Sequence, residues 1–148
     1  MFMIRPYQPL DKPQLLALLN LNTPYFFAAS EAADFTEYLD NHVETYFVVE
    51  EDENIVGCGG INYFSEEATA RISWDIVHPD HQGKGIGRAL LLHRIDDIKA
   101  NSSIKIIIVR TTQLTYQFYE RIGFELEKIK KNFWAPGFDL YQMKMKID

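Results

Sequence analysis

Residues 71–98 constrain the fold of this chain more than any other stretch. Arg71-Ile-Ser-Trp-Asp-Ile-Val77 alternates in the manner of a strand, and His78-Pro79-Asp80-His81 turns it. The chain then enters Gln82-Gly-Lys-Gly-Ile-Gly-Arg88 and leaves through Ala89-Leu-Leu-Leu-His-Arg-Ile95, which reads as a helix. A strand delivering its chain through a glycine-rich loop into a helix builds an anion site. Gly83, Gly85 and Gly87 let the backbone curl without Cβ clashes, so N–H groups converge, and the helix behind adds the positive end of its dipole. Lys84 and Arg88 add charge at the rim.

The spacing narrows which phosphate is bound. A Walker loop needs Gly-Lys followed by Ser or Thr for magnesium, whereas Gly85 follows Lys84 here. A dinucleotide loop needs Gly-x-Gly-x-x-Gly and an acidic residue closing the next strand. Here the spacing is Gly-x-Gly-x-Gly, and the next strand, 104–109, is followed by Arg110. Gln82-x-x-Gly85-x-Gly87 resembles instead the acyl-CoA signature Gln/Arg-x-x-Gly-x-Gly/Ala of the GNAT superfamily of N-acetyltransferases. The likeness includes the strand and His-Pro turn before the loop and the helix after it. A second stretch, Gln117-Phe-Tyr-Glu-Arg-Ile-Gly-Phe124, is similar to that superfamily's Leu/Phe-Tyr-Glu-Lys-x-Gly-Phe signature.

Length and composition agree with a globular domain. The chain has 148 residues, 47% apolar and 24% charged, which suits one domain spanning 1–148. No apolar run approaches the roughly twenty residues of a membrane span, and the first residues lack a signal-peptide layout, so a cytoplasmic location and no membrane partner are expected. The one cysteine, Cys58, excludes an internal disulfide and reads as a small core residue. A net charge of −6 argues against nucleic acid as a partner and is compatible with a cationic amine.

Along the chain, periodicity predicts a strand over 3–7, a helix from an Asp11 cap to residue 20, and a second helix from Ser30 with Phe35, Leu39 and Val43 on one face. A hairpin follows over 46–50 and 55–61, where Gly57, Gly59 and Gly60 point to a bulge or a close backbone approach. The helix after the loop runs to about residue 101 with Ile86, Leu90, Leu91, Ile95 and Ile98 on its inner face. A buried strand over 104–109, a helix capped by Thr111 or Thr112 with Leu114, Phe118 and Ile122 inward, and strands over 124–131 and 140–147 complete the order. That order is mixed α/β. The resemblance implies a single GNAT-like domain with a mixed central sheet of about seven strands flanked by about four helices. Homodimers are common in that superfamily.

The resemblance also implies direct acetyl transfer from acetyl-CoA, as cosubstrate, to a primary amine: a small amine, an amino acid or a peptide N-terminus. It assigns the pyrophosphate to Gln82, Gly83, Lys84, Gly85, Ile86, Gly87 and Arg88, and the pantetheine arm to Ile76 and Val77. Tyr119 falls at the tyrosine near the CoA sulfur, where a protonated phenol acts as general acid. Two departures stand out. Thr112 and Gln113 replace an asparagine that often holds pantetheine, and Ile108 stands where some relatives place a catalytic glutamate. The base therefore falls to Asp75 first, with His78, Glu50 and a water chain as alternatives. Histidines 78 and 81 are too isolated to predict a metal site. Phe26, Phe27, Trp134 and Asp139 are substrate-pocket candidates, and 132–139 loosely resembles the tail of enzymes that acetylate ribosomal-protein N-termini. A catalytically silent acyl-CoA-binding module is the alternative function.

Overall fold

In the computed structural model, which describes residues 1–147, one seven-stranded sheet carries the whole chain. Strand β1 (Met3–Pro6) leads through a 3-10 turn into α1 (Lys12–Leu21) and α2 (Glu31–Asn41). Strands β2 (Thr45–Glu51), β3 (Asn54–Phe64) and β4 (Thr69–Val77) form a meander. Helix α3 (Ile86–Lys99) crosses to β5 (Ile106–Thr111), α4 (Tyr116–Ile122) follows, and the hairpin β6 (Glu125–Ala135) and β7 (Phe138–Lys146) closes the order. Spatially the strands run β1-β2-β3-β4-β5-β7-β6. Every neighbouring pair is antiparallel except β4–β5. A parallel pair needs a crossover, which α3 provides.

Both faces of the sheet are covered, so its central strands are apolar in both directions. Phe47 and Val49 enter the core under α3 with Leu91, Ile98, Ile107 and Tyr119. Tyr46 and Val48, one residue out of phase, enter the core under α1 and α2 with Leu15, Phe35, Cys58 and Ile76. The final hairpin manages its free edge differently. Strand β6 is exposed over most of its length, and Lys128, Lys130 and Lys131 keep it from pairing further.

Several local expectations are corrected. Helix α4 starts at Tyr116, because the Thr112 hydroxyl accepts the Leu114 N–H at 3.2 Å and closes a turn instead of capping the helix. Leu114 is consequently exposed, and Tyr119 is the residue α4 buries. Strand β5 begins at Ile106 and runs through Arg110 to Thr111. Strand β6 continues to Ala135, so the segment read as a link is mostly strand. Asp11 caps the 3-10 turn before α1, accepting the Gln8 N–H at 2.8 Å. At α2 Ser30 makes no cap bond, and the Glu31 carboxylate instead accepts the N–H of Ala28, ahead of the helix, at 2.8 Å.

The unusual glycines of β3 mark the irregularity that shapes the molecule. Register runs Gly57↔Val77 and Cys58↔Ile76, then Gly60↔Ser73, so Trp74 and Asp75 together oppose Gly59. That is a β-bulge in β4. Trp74 takes φ 50°, a conformation bulky residues adopt at a cost of about 1–3 kcal/mol. Packing offsets it: the indole lies 4.8 Å from the Phe35 ring and stacks on Phe27 at 6.3 Å.

Candidate active site

Strands β4 and β5 pair only from Thr69↔Ile106 to Ile72↔Val109. From the bulge onward they are parted, and the gap between them widens into a cavity of about 1070 Å³. One end is the glycine loop and α3; the other lies under α2 and the β6–β7 turn.

At the loop end, Gly83 and Gly85 take φ of 80° and 83°, with open space where a Cβ would stand. The first intrahelical bond of α3 is from the Ala89 N–H to the Gly85 carbonyl, 3.0 Å. The N–H groups of Ile86, Gly87 and Arg88 therefore have no acceptor within the helix. Gly87 lets Phe118 approach, as a Cβ there would lie 3.4 Å from its ring. Gln82, Gly83, Gly85, Ile86, Gly87 and Arg88 line the cavity. Lys84 is exposed and does not.

Val77 and Ile76 separate. The His78 N–H donates to the Val56 carbonyl at 2.8 Å, so by alternation the Ile76 main chain faces β3 and that of Val77 faces the gap. Both residues line the cavity, but only the Val77 main chain faces the gap. The Asn22 side chain holds this point: its amide donates to Leu18 O (2.8 Å) and Val77 O (3.2 Å), and its oxygen lies 3.5 Å from the Gln82 amide. Asn22 is 2% exposed, and it was not singled out by sequence, where the first helix was expected to end at residue 20.

Where the strands part, the buried Tyr119 and Arg94 meet the half-buried Asp75. The Tyr119 hydroxyl donates to Asp75 Oδ2 at 2.6 Å. Arg94 of α3, fully buried, places Nη1 2.5 Å from Asp75 Oδ1 and donates to the Gly60 carbonyl at 3.1 Å. Arg94 Nη1 makes a charge contact with Oδ1 rather than an aligned hydrogen bond, and Arg94 Nη2 has no protein partner. Gly59 makes the room: a Cβ there would fall 2.4 Å from Asp75 Oδ1 and 2.8 Å from Arg94 Nη1. Burial, and then the Asp75 charge, raise the Tyr119 phenol well above its usual range. For Arg94, burial favours the neutral form, but Asp75 more than offsets it and the guanidinium stays charged.

The other sequence candidates fall into two groups. Phe26, Phe27, Thr112 and Trp134 line the cavity. Asp139 does not: its carboxylate accepts the Asn132 N–H at 2.8 Å and holds the β6–β7 turn, which corrects its assignment to the pocket. Gln113 is likewise committed to that turn, donating to Gly137 O at 2.7 Å and accepting from Asp139 N–H at 2.9 Å. Glu50 is paired with Arg5, and His78 accepts the Asp80 N–H, both outside the cavity, so neither is placed to act as base there. Among the described residues no three His, Cys, Asp or Glu side chains converge in a metal-binding group. Cys58 is buried, and burial pushes its thiol up to about 12.

Comparison with known proteins places the chain. A family model described as an acetyltransferase (GNAT) domain matches residues 42–126, more than half the chain. An amino-acid acetyltransferase of Neisseria meningitidis is 30% identical over 89 residues, 60% of this chain and 20% of that protein. The enzyme of the same name from Pasteurella multocida is 30% identical over 93 residues, 63% of this chain and 21% of that protein. The chain thus spans about a fifth of the length of these curated relatives. The ribosomal-protein-S18-alanine N-acetyltransferase of Escherichia coli shares the fold with TM-score 0.82 at 19% identity, over 100% of this chain and 95% of that one. The N-acetylglutamate synthase of Neisseria gonorrhoeae, solved with coenzyme A and N-acetyl-glutamate, does so with TM-score 0.77 at 23% identity, over 100% of this chain and 35% of that one.

Proposed function

Because this chain belongs to the GNAT acetyltransferase family, we propose that it moves an acetyl group from acetyl-CoA directly to a primary amine of a small molecule, an amino acid or a peptide N-terminus. The observation that carries this reading is the gap between β4 and β5, with unpaired α3 N–H groups at one end and the Tyr119–Asp75 pair where the strands part. The loop N–H groups suit a pyrophosphate, and Arg88 adds charge at the rim. The Val77 N–H, facing the gap, suits the thioester oxygen as it gains negative charge.

The Tyr119–Asp75 hydrogen bond supports the following proton path. Tyr119 keeps its one proton, and in the resting protein the hydroxyl donates it in a hydrogen bond to Asp75. Asp75 takes a proton from the incoming ammonium, which frees the nitrogen lone pair to attack the thioester carbon. As the carbon–sulfur bond breaks, the Tyr119 proton goes to sulfur and the proton on Asp75 restores the phenol. The second proton lost by nitrogen leaves to solvent. Arg94 is a positioning residue: its contact with Oδ1 keeps the Asp75 carboxylate oriented.

Release of CoA thiol from acetyl-CoA, followed against a panel of amines, amino acids and short peptides, tests this reading. Amine-dependent release is expected. Acetyl-CoA binding with no release for any member of the panel would favour a silent acyl-CoA-binding module and overturn it.

A further inference from the structure

Beyond the splayed strands, the cavity holds two guanidiniums that form no ion pair among the described residues. Arg71 of β4 registers with Ile108 of β5, and Arg110 lies two residues further on, so both project from the same face of the sheet. That face is the one under α2, away from α3. Both line the cavity. Arg71 lies over the Phe64 ring with its central carbon 4.7 Å from the centroid. Arg110 lies over Phe133 at 4.9 Å and Trp134 at 5.6 Å. Stacking occupies the flat faces of a guanidinium and leaves its in-plane N–H fork free.

Those forks find no protein acceptor. The Nε of Arg71 and the Nε of Arg110 are both buried and unpartnered. Among the described residues, neither side chain has a carboxylate within ion-pair distance. The cavity's acids are turned elsewhere: Glu44 accepts from Asn62 and the Tyr63 N–H, Glu31 accepts from Ala28, and Asp75 faces Arg94 and Tyr119. Burial and mutual repulsion both press Arg71 toward its neutral form. An arginine does not deprotonate in a protein, so the natural relief is an anion. Planar forks held flat by aromatic rings match carboxylate geometry.

We propose that Arg71 and Arg110 form a carboxylate subsite and that the acceptor is a free amino acid with an acidic side chain. Two unpaired guanidiniums match two carboxylates, and Arg71 lies on β4, the strand that carries Asp75, the base of the proposed transfer. The net charge of −6 is therefore misleading about the acceptor, because the acceptor end of the cavity is locally basic. The inference rests on the acetyl-transfer reading for its amine, and its test separates the two.

L-glutamate, L-aspartate, L-lysine and butylamine are compared as acceptors by CoA release, and L-glutamate is titrated calorimetrically into CoA-saturated protein. Arg71→Gln and Arg110→Gln are expected to raise the KM for L-glutamate about ten- to a hundredfold each, leaving acetyl-CoA affinity unchanged. Arg71→Lys, which keeps the charge and loses the fork, should restore part of the affinity, and equal melting temperatures show that the variants fold. Preference for L-lysine or butylamine, or an unchanged KM in both glutamine variants, would overturn the subsite. If no amine is acetylated, the transfer reading fails alone when L-glutamate still binds and the glutamine variants abolish that heat. Absence of L-glutamate binding to the folded wild type overturns the subsite.

Discussion

Tyr119 donates its one proton in a hydrogen bond to the Asp75 carboxylate 2.6 Å away, and in the proposed reaction the same proton goes to the departing sulfur. Tyr119→Phe removes that hydroxyl. Turnover should fall about a hundredfold or more, with acetyl-CoA affinity nearly unchanged, as measured by steady-state kinetics and calorimetry. Unchanged turnover would remove Tyr119 from proton transfer. The same change leaves Asp75 Oδ2 without its donor, so the melting temperature should drop by the equivalent of about 1–3 kcal/mol. The residues around Tyr119 carry a family signature, so its place was legible in the sequence. Arg94 was not, although it lies four residues after Leu90 on the apolar face, because a charged helix residue is by default read as solvated. Arg71 and Arg110 were missed for a related reason. Each interrupts an apolar strand, and a net charge averaged over the chain conceals two cations that share one cavity.

At the level of elements, the loop and α3 were readable because glycine spacing before a helix has one geometric outcome. Gly85→Glu tests it: the residue has φ 83°, and its open side would carry a carboxylate into the proposed pyrophosphate site. Acetyl-CoA binding should be lost in calorimetry while the protein stays folded; normal affinity would sink the loop assignment. The bulge was half-legible. Its glycines are in β3, but the extra residue is in β4, and only pairing reveals that Trp74 and Asp75 oppose Gly59. The start of α4 was misread because a threonine hydroxyl serves a turn as readily as a helix cap. The first elements carry a separate prediction. Arg5 clamps β1 to the turn before α1 through two 2.9 Å bonds to Asp11, and those bonds hold the Asp11 carboxyl below the usual carboxylate range. A depressed carboxylate stabilises above its unfolded pKa and loses that contribution as pH falls through the folded value. Asp11→Asn should therefore cost about 1.5–3 kcal/mol at neutral pH, and the gap to wild type should close as pH falls below about 4, measured by urea denaturation across pH. A gap that does not vary with pH would contradict the ion pair.

Over the whole molecule, a single irregularity divides the labour. A sheet that stayed paired along β4 and β5 would have no interior space. The bulge at Trp74 opens it between the α3 end, with its unpaired N–H groups, and the end that holds Arg71 and Arg110. The donor end was legible because its chemistry is backbone chemistry at fixed spacing. The acceptor end was not, since Phe26, Phe27, Arg71, Arg110 and Trp134 come from distant segments and meet only when the sheet folds. The most direct measurement follows the acetyl group itself. Acetyl-CoA labelled in the acetyl carbon is incubated with the protein and a primary-amine acceptor, and both products are quantified by mass spectrometry. One labelled N-acetyl product for each CoA thiol freed, with no label on the protein, is expected. Thiol release without that product, or label held on the protein chain, would contradict direct transfer at the gap between β4 and β5.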